Sequence, residues 1–187
     1  MLLGWKFVEL VERPPKAVLI EYPHTSNWDA LYGLLANFAL GAGVNWMAKD
    51  VAFRWPFAGL MKRLGGIPVN RRMHTNLVAH MIDQFAHRES FILGITPEGT
   101  RRRTEGWKSG FYRIAAGAGV PVLLSTIDYA RREAGIIATF ALSGDPEKDL
   151  EQIAKIYTGR CGRRPELASP IRWLPETRFE EKTPSPC

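Results

Sequence analysis

Apolar and polar positions follow two different periods along this chain. Short apolar runs bounded by Gly, Pro or polar residues predict strands over 16–22, 44–48, 67–70, 91–95, 120–127 and 136–141. Apolar residues spaced three and four apart predict helices over 27–40, 55–64, 75–87, 110–118 and 145–157. Because strands alternate with helices, we expect an α/β fold with a mostly parallel central sheet flanked by helices.

Local signals mark where several of these elements begin and end. Ser26 or Asn27 is the expected cap of the first helix, and Asp145 is the expected cap of the last. With 187 residues, no internal repeat and an irregular tail over 160–187, the chain predicts one domain over 1–187.

The first thirteen residues carry a pattern of their own. Lys6, Glu9 and Glu12 recur every three positions, which predicts an amphipathic helix over 1–13 with a wide apolar face. This helix is expected either to pack on the core or to lie in a membrane interface. The charges break the apolar stretch too early for a signal peptide.

Composition adds a preference for anionic partners. The chain has 25 Lys and Arg against 19 Asp and Glu, a formal net charge of +6, and an isoelectric point near 9.5. Its hydrophobic fraction of 45% excludes a disordered polymer. An uncharged stretch follows Asp29 and extends to Lys49, but polar and Gly residues interrupt it, so we do not expect a transmembrane span.

The first segment with candidate chemistry is 24–29, directly after the strand at 16–22. His24 offers a proton acceptor, and Asp29, about one turn into the next helix, can orient the imidazole and stabilise its charged form. Reactive groups collect beyond the carboxyl ends of strands in open α/β sheets. A lone His-x4-Asp pattern is weak, however, and a structural histidine is the alternative.

A second segment, 98–103, follows the strand at 91–95. Gly99 lets the backbone turn closely around a ligand, and Arg101 can bind a phosphate with two parallel hydrogen bonds. A solvated basic turn is the alternative, above all for Arg102 and Arg103. Arg71, just beyond the strand at 67–70, could bind a second anionic group. His74, His80 and His87 lack the spacing of a helical metal pair, so no metal site is predicted.

Taken in order, these segments resemble the glycerolipid (lysophosphatidate-type) acyltransferase family. His24 and Asp29 match its His-x4-Asp motif, residues 65–71 its Gly-x-Ile-x-Val-x-Arg block, and residues 97–101 its Pro-Glu-Gly-Thr-Arg block. Residues 120–122 resemble its fourth block. The similarity covers roughly 16–128 and implies a fold like that of glycerol-3-phosphate acyltransferases. The chain departs from the common pattern at Pro23 and Thr96, which leaves the acceptor open.

The resemblance implies transfer of an acyl group from a thioester to a hydroxyl. His24 would remove the acceptor proton with support from Asp29. The acceptor's polar head would be bound by residues of the later blocks, which are Arg71, Glu98, Gly99, Thr100 and Arg101. The co-substrate would be acyl-CoA or acyl carrier protein, with no other cofactor.

The expected partners are that donor, a lipid acceptor and a membrane surface, without nucleic acid. The expected location is cytoplasmic and peripheral on the membrane. Two alternatives remain open from the residues alone. One is a hydrolase that uses His24 to activate water on a thioester or phosphoester. The other is a non-catalytic module that binds anionic ligands or nucleic acid, for which the +6 charge is the support.

Overall fold

A mostly parallel sheet forms the centre of the molecule. The computed structural model describes residues 4–53, 58–69, 77–175 and 179. Within them the strands form one seven-stranded sheet in the order β1-β7-β6-β2-β5-β3-β4. Every neighbouring pair is parallel except β6 and β7, which are antiparallel. The expected α/β fold with a mostly parallel central sheet is confirmed.

The strands and helices have the following bounds along the chain. The strands are β1 (Lys6–Glu9), β2 (Lys16–Glu21), β3 (Val44–Lys49), β4 (Gly66–Val69), β5 (Phe91–Ile95), β6 (Val122–Asp128) and β7 (Glu133–Phe140). The helices are α1 (Asn27–Ala39), α2 (Ala58–Arg63), α3 (Leu77–Ala86), α4 (Gly110–Ala118) and α5 (Pro146–Ile156). Short 3-10 helices occupy Asp50–Phe53 and Pro165–Leu167.

The helix caps form where the sequence places them. Ser26 caps α1, and its hydroxyl accepts a hydrogen bond from the Trp28 N–H. Asp145 caps α5 by accepting from the Lys148 N–H. These side chains satisfy backbone donors that have no partner inside a helix, so each helix begins at a defined residue.

The predicted amphipathic helix over 1–13 is wrong in the part that the structure describes. Lys6–Glu9 instead forms the edge strand β1, which pairs in parallel with β7. Gly135 of β7 lies so close to the Val8 backbone that a Cβ atom there would collide with it. Trp5 is buried, where it stacks on Tyr32 of α1. Non-local pairing therefore overrides the local three-residue period.

The two faces of the sheet are covered differently. Even-numbered residues of β2, such as Val18 and Ile20, face a large core that contains side chains of α3, α4 and α5. The odd-numbered Leu19 belongs to a smaller cluster on the face that α1 covers. Among the described helices, none combines the length and apolar character needed to cross a lipid bilayer.

Candidate active site

His24 lies in the turn that joins β2 to α1, beyond the carboxyl end of the central strand. Its backbone N–H donates a 2.7 Å hydrogen bond to Glu98 Oε2, so the turn after β2 is tied to the turn after β5. Only 14% of its side chain is exposed. The turn thus holds the imidazole at the edge of the sheet where α/β proteins collect reactive groups.

Asp29 is fully buried in the first turn of α1. Its Oδ2 accepts hydrogen bonds of 2.8 Å from the N–H groups of both Thr25 and Ser26, and its Oδ1 accepts one of 2.8 Å from the Tyr129 hydroxyl. With Ser26 it forms a capping box. Asp29 therefore has a structural role in starting α1 and is held rigidly by the same contacts.

The imidazole of His24 faces two carboxylates. Its Nδ1 lies 3.3 Å from Asp29 Oδ2 and 3.5 Å from Glu21 Oε1. Both distances are short enough for an ion pair, but the N–H direction of Nδ1 does not align with either carboxylate for a hydrogen bond. The Nδ1 atom is buried. Because Nδ1 points toward the carboxylates, it carries the ring proton in neutral imidazole. Nε2 is then the nitrogen left to accept a proton.

Sequence reasoning missed Glu21. It ends β2 on the sheet face toward α1, where Gly33 leaves room for it: a Cβ atom on Gly33 would lie 3.0 Å from Glu21 Oε2. The alternation of side chains along a strand was the available signal. Glu21 and Leu19 are two residues apart and therefore lie on the same face of the sheet, which is the face covered by the helix that carries Asp29.

Burial and charge shift the pKa values of these groups in opposite directions. Burial alone lowers the pKa of His24, but Asp29 and Glu21 outweigh it and raise that pKa to about 9. Burial likewise acts to raise the pKa of Asp29, yet contacts with His24, the Ser26 N–H and Tyr129 leave it lowered. Burial raises the pKa of Glu21, opposed by His24. These shifts favour an imidazolium beside the Asp29 carboxylate in the resting site.

A cavity of about 500 Å³ opens at His24 and extends between α1 and the sheet. Its lining at the carboxyl edge of the sheet is polar and includes Glu21, His24, Thr96 and Arg101. The rest is mostly apolar and comes from α1, β3, β6 and α2, including Leu34, Leu40, Val44, Met61, Leu64 and Ile127. The volume lies in the range of small-molecule sites. The site thus joins a titratable group, a cation and an apolar chamber.

The segment predicted to bind substrate divides into two roles. Arg101 is exposed and lines the cavity together with His24. Glu98 is fully buried, and its two oxygens accept from the N–H groups of His24 and Ser169 at 2.7 and 2.9 Å. Burial raises the pKa of Glu98, and these N–H donors oppose the rise. Glu98 therefore braces the turn that carries His24 through direct hydrogen bonds.

Gly99 and Thr100 occupy the turn between those two residues. Gly99 has a positive φ of 66°, and its N–H donates to the Thr96 carbonyl, so this amide is already engaged. The Thr100 hydroxyl accepts from the Arg102 N–H at 3.3 Å. Lys108 lies over Gly99, close enough to contact a Cβ atom there. Lys108 is a second cation beside this turn that the sequence did not single out.

The block that precedes Arg71 is built around two close backbone contacts. A Cβ atom on Gly65 would lie 2.7 Å from the Val44 carbonyl oxygen, and one on Gly66 would lie 2.7 Å from the Met61 carbonyl oxygen. These glycines let α2 turn directly into β4. Arg71 itself lies outside the described residues, and its role stays a prediction.

The segment after α5, predicted as an irregular tail, contacts and supports the turn that carries His24. The Arg164 N–H donates to Thr25 Oγ1 at 3.1 Å, and Gly162 packs so closely that a Cβ atom there would lie 2.7 Å from the same oxygen. Ser169 donates to Glu98. Sequence patterns gave no sign of these contacts because they join positions more than 70 residues apart.

Comparison with known proteins gives one match. A family model described as Acyltransferase matches residues 7–127, which is more than half of the 187 residues. The comparisons with curated proteins and with solved structures found no match. The matched region begins in β1 and includes β2, His24, Asp29 and the turn at Arg101.

Proposed function

Since the chain belongs to the acyltransferase family, we propose that it moves a fatty acyl group from a thioester to the hydroxyl of a lysophospholipid or a related lipid acceptor. The thioester donor is acyl-CoA or an acyl group carried on acyl carrier protein, with no further cofactor. The observation that carries the proposal is the placement of His24: its Nδ1 faces two carboxylates while its side chain lines an apolar cavity that also carries Arg101.

His24 acts as the general base in this reaction. After the imidazolium has lost its proton, Nε2 accepts the proton of the acceptor hydroxyl as that oxygen bonds to the thioester carbonyl carbon. The tetrahedral intermediate then breaks its carbon–sulfur bond, which yields the ester and a thiolate. The imidazolium returns its proton to the thiolate. Asp29 and Glu21 stabilise the imidazolium throughout, and no acyl-enzyme forms.

The cavity supports an acyl chain as one substrate part. Its lining below α1 is largely apolar, and its polar groups collect at the end where His24 stands. Each buried methylene contributes about 0.8 kcal/mol, or roughly a fourfold gain in affinity. Transfer efficiency should therefore rise with donor chain length until the cavity is full.

Arg101 supports an acceptor with an anionic head group. It is exposed at the cavity mouth, next to Thr96 and His24. A guanidinium can bind a phosphate through two parallel hydrogen bonds. Arg71 and the turn at Gly99 and Thr100 are proposed to contribute to the same subsite, which favours a lysophosphatidate-type acceptor.

Substrate dependence tests the proposal. Labelled acyl-CoA and acyl carrier protein are each incubated with the protein, with and without a panel of lysolipids and lipid alcohols, and the lipid products are separated. Transfer requires both donor and acceptor. Release of free fatty acid at the same rate with donor alone would instead identify a hydrolase, and no turnover with any pair would favour a binding module.

A further inference from the structure

The solvent side of α1 carries an apolar stripe. Trp28, Leu31, Leu35 and Phe38, spaced three, four and three residues apart, form what we term the outer face of α1. Trp28 is 50% exposed, Leu31 43% and Phe38 64%. The solvent side of a helix in a globular protein is ordinarily polar. An exposed apolar patch of this kind marks an interaction surface.

The opposite side of the same helix lines the cavity. Ala30, Gly33, Leu34 and Asn37 contribute to the cavity wall. Helix α1 is therefore apolar toward both the substrate chamber and solvent, and its first turn carries Asp29. Whatever binds the outer face lies one helix diameter from the proposed acyl site.

Helix α2 borders the same cavity and has an exposed leucine of its own. Met61 and Leu64 line the chamber, whereas Leu60 is 52% exposed. Lys62 and Arg63 follow it and are both exposed. The two helices that border the cavity thus expose apolar side chains together with cations.

A further cation lies at the other end of the patch. The Arg163 guanidinium carbon stands 5.2 Å from the centre of the Trp28 ring. Tryptophan together with Arg and Lys is typical of surfaces that meet the head-group region of a bilayer. The formal net charge of +6 complements an anionic lipid surface, whereas a second copy of the chain would bring like charges together.

The far end of the described C-terminal segment lies elsewhere. Phe179 packs against Tyr112 and Trp173, next to the core on the opposite face of the sheet. This end therefore lies away from the outer face of α1, where Arg163 of the same segment contacts Trp28.

We propose that the outer face of α1, together with Leu60, docks on the surface of an anionic lipid bilayer and brings the cavity mouth to the membrane. The inference rests on the proposed function, because the lipid acceptor of that reaction lies in the membrane surface. It differs from the alternative in which a helix over 1–13 lies in the membrane interface: among the described residues of that segment, Trp5 is buried and Lys6–Glu9 is a strand.

Vesicle co-sedimentation of the full chain tests the docking. The vesicles contain equal parts of phosphatidylcholine and phosphatidylglycerol, and pure phosphatidylcholine vesicles serve as the neutral comparison. The wild type should bind the anionic vesicles and bind less as salt is added. The double variant Leu31→Ser/Phe38→Ser should lose at least about tenfold in partitioning. The variant Lys62→Gln/Arg63→Gln should lose most of the salt-dependent part of its binding to anionic vesicles.

Ile156→Ser is the matched control. Ile156 is also exposed, at 36%, but it ends α5 on the opposite face of the sheet, so its variant should bind as the wild type does. If the double variant does not fold by circular dichroism, Phe38→Ser alone takes its place. Quenching of tryptophan fluorescence by brominated lipid, with Trp28→Phe as reference, gives an independent readout: most of the quenching should vanish with Trp28.

The outcomes separate docking from catalysis. Transfer to a short-chain, monodisperse acceptor should be unchanged in Leu31→Ser/Phe38→Ser, whereas transfer to an acceptor embedded in vesicles should fall. If the wild-type protein does not bind anionic vesicles but transfers acyl groups to the dispersed acceptor, the docking proposal is overturned and the proposed function stands. Binding as described without transfer to any acceptor would overturn the function alone. A dimer in sedimentation equilibrium that the double variant dissociates would overturn the docking in favour of a second copy.

Discussion

Replacing Glu21 with Gln tests how the site tunes its base. Glu21 Oε1 lies 3.5 Å from His24 Nδ1, and Gln keeps the shape of the side chain while it removes the charge. Two unit charges at that separation interact by about 1 kcal/mol in water and by about 5 kcal/mol at an effective dielectric constant of about 20. Because 18% of the Glu21 side chain is exposed, we expect the lower half of this range. The pKa of His24 should then fall by roughly 1 to 2.

The assay is the pH dependence of kcat/KM with a soluble acyl thioester and a dispersed acceptor. Only neutral imidazole accepts a proton, so the wild-type kcat/KM should rise with pH and level off near the His24 pKa of about 9. In Glu21→Gln the rise should occur at lower pH, and the plateau should be lower because the base is weaker. Glu151→Gln, an exposed position on α5, is the control for a lost carboxylate. An unchanged profile in Glu21→Gln would refute the assigned contact.

The same pair predicts how stability depends on pH. The His24 pKa is raised in the folded state, so its stabilising effect is complete below the ordinary value of 6.5 and is lost as pH rises through about 9. The wild-type melting temperature should therefore fall over that interval, and the fall should be smaller in Glu21→Gln. A melting temperature in Glu21→Gln that falls as steeply as in the wild type would show that the two groups do not interact.

Three further substitutions separate catalysis, bracing and binding. Asp29→Asn should reduce kcat strongly and also lower the melting temperature, because an NH₂ group replaces one of two buried oxygens that both accept hydrogen bonds. Ser26→Ala also weakens the start of α1, at a cost of about 1 kcal/mol in thermal unfolding, but should leave kcat near normal; equal kcat losses would contradict the separate roles. In Glu98→Gln an NH₂ group faces a backbone N–H, so the free energy of unfolding measured by urea denaturation should fall by about 1–3 kcal/mol. The value of kcat should fall as well. Unchanged stability would argue against the bracing role of Glu98. Arg101→Ala should raise the acceptor KM at least tenfold in steady-state kinetics, with Arg102→Ala as control; equal KM values would remove Arg101 from the head-group site.

The central elements of the site could be predicted because their signals are local. His24 and Asp29 are five residues apart, at the junction of a strand and a helix. The capping residue of that helix, Ser26, lies between them. The apolar runs of β2 and β5 were both predicted as strands, and in the structure they pair in parallel with their carboxyl ends side by side, which places the turn with Arg101 near His24. Short-range spacing and parallel pairing were sufficient for these contacts.

The remaining contacts depend on residues distant in sequence. Lys6–Glu9 has a period that suits a helix, yet it forms a strand because β7 offers an edge with Gly135 opposite Val8. Glu21 lies within the run predicted as the strand 16–22 and had no predicted role, and its contact with His24 depends on the space that Gly33 leaves in α1. Ser169 reaches Glu98 from a segment without periodicity. Packing of this kind has no local signature.

The rate of acyl transfer by His24→Ala, with donor and acceptor both present, tests the central claim most directly. The variant should fold as the wild type does by circular dichroism and lose about 10² to 10⁴-fold in kcat, because His24 lines the cavity and its Nε2 is the nitrogen proposed to take the acceptor proton. Near-normal turnover in His24→Ala would contradict the account, since the imidazole could not then be the base.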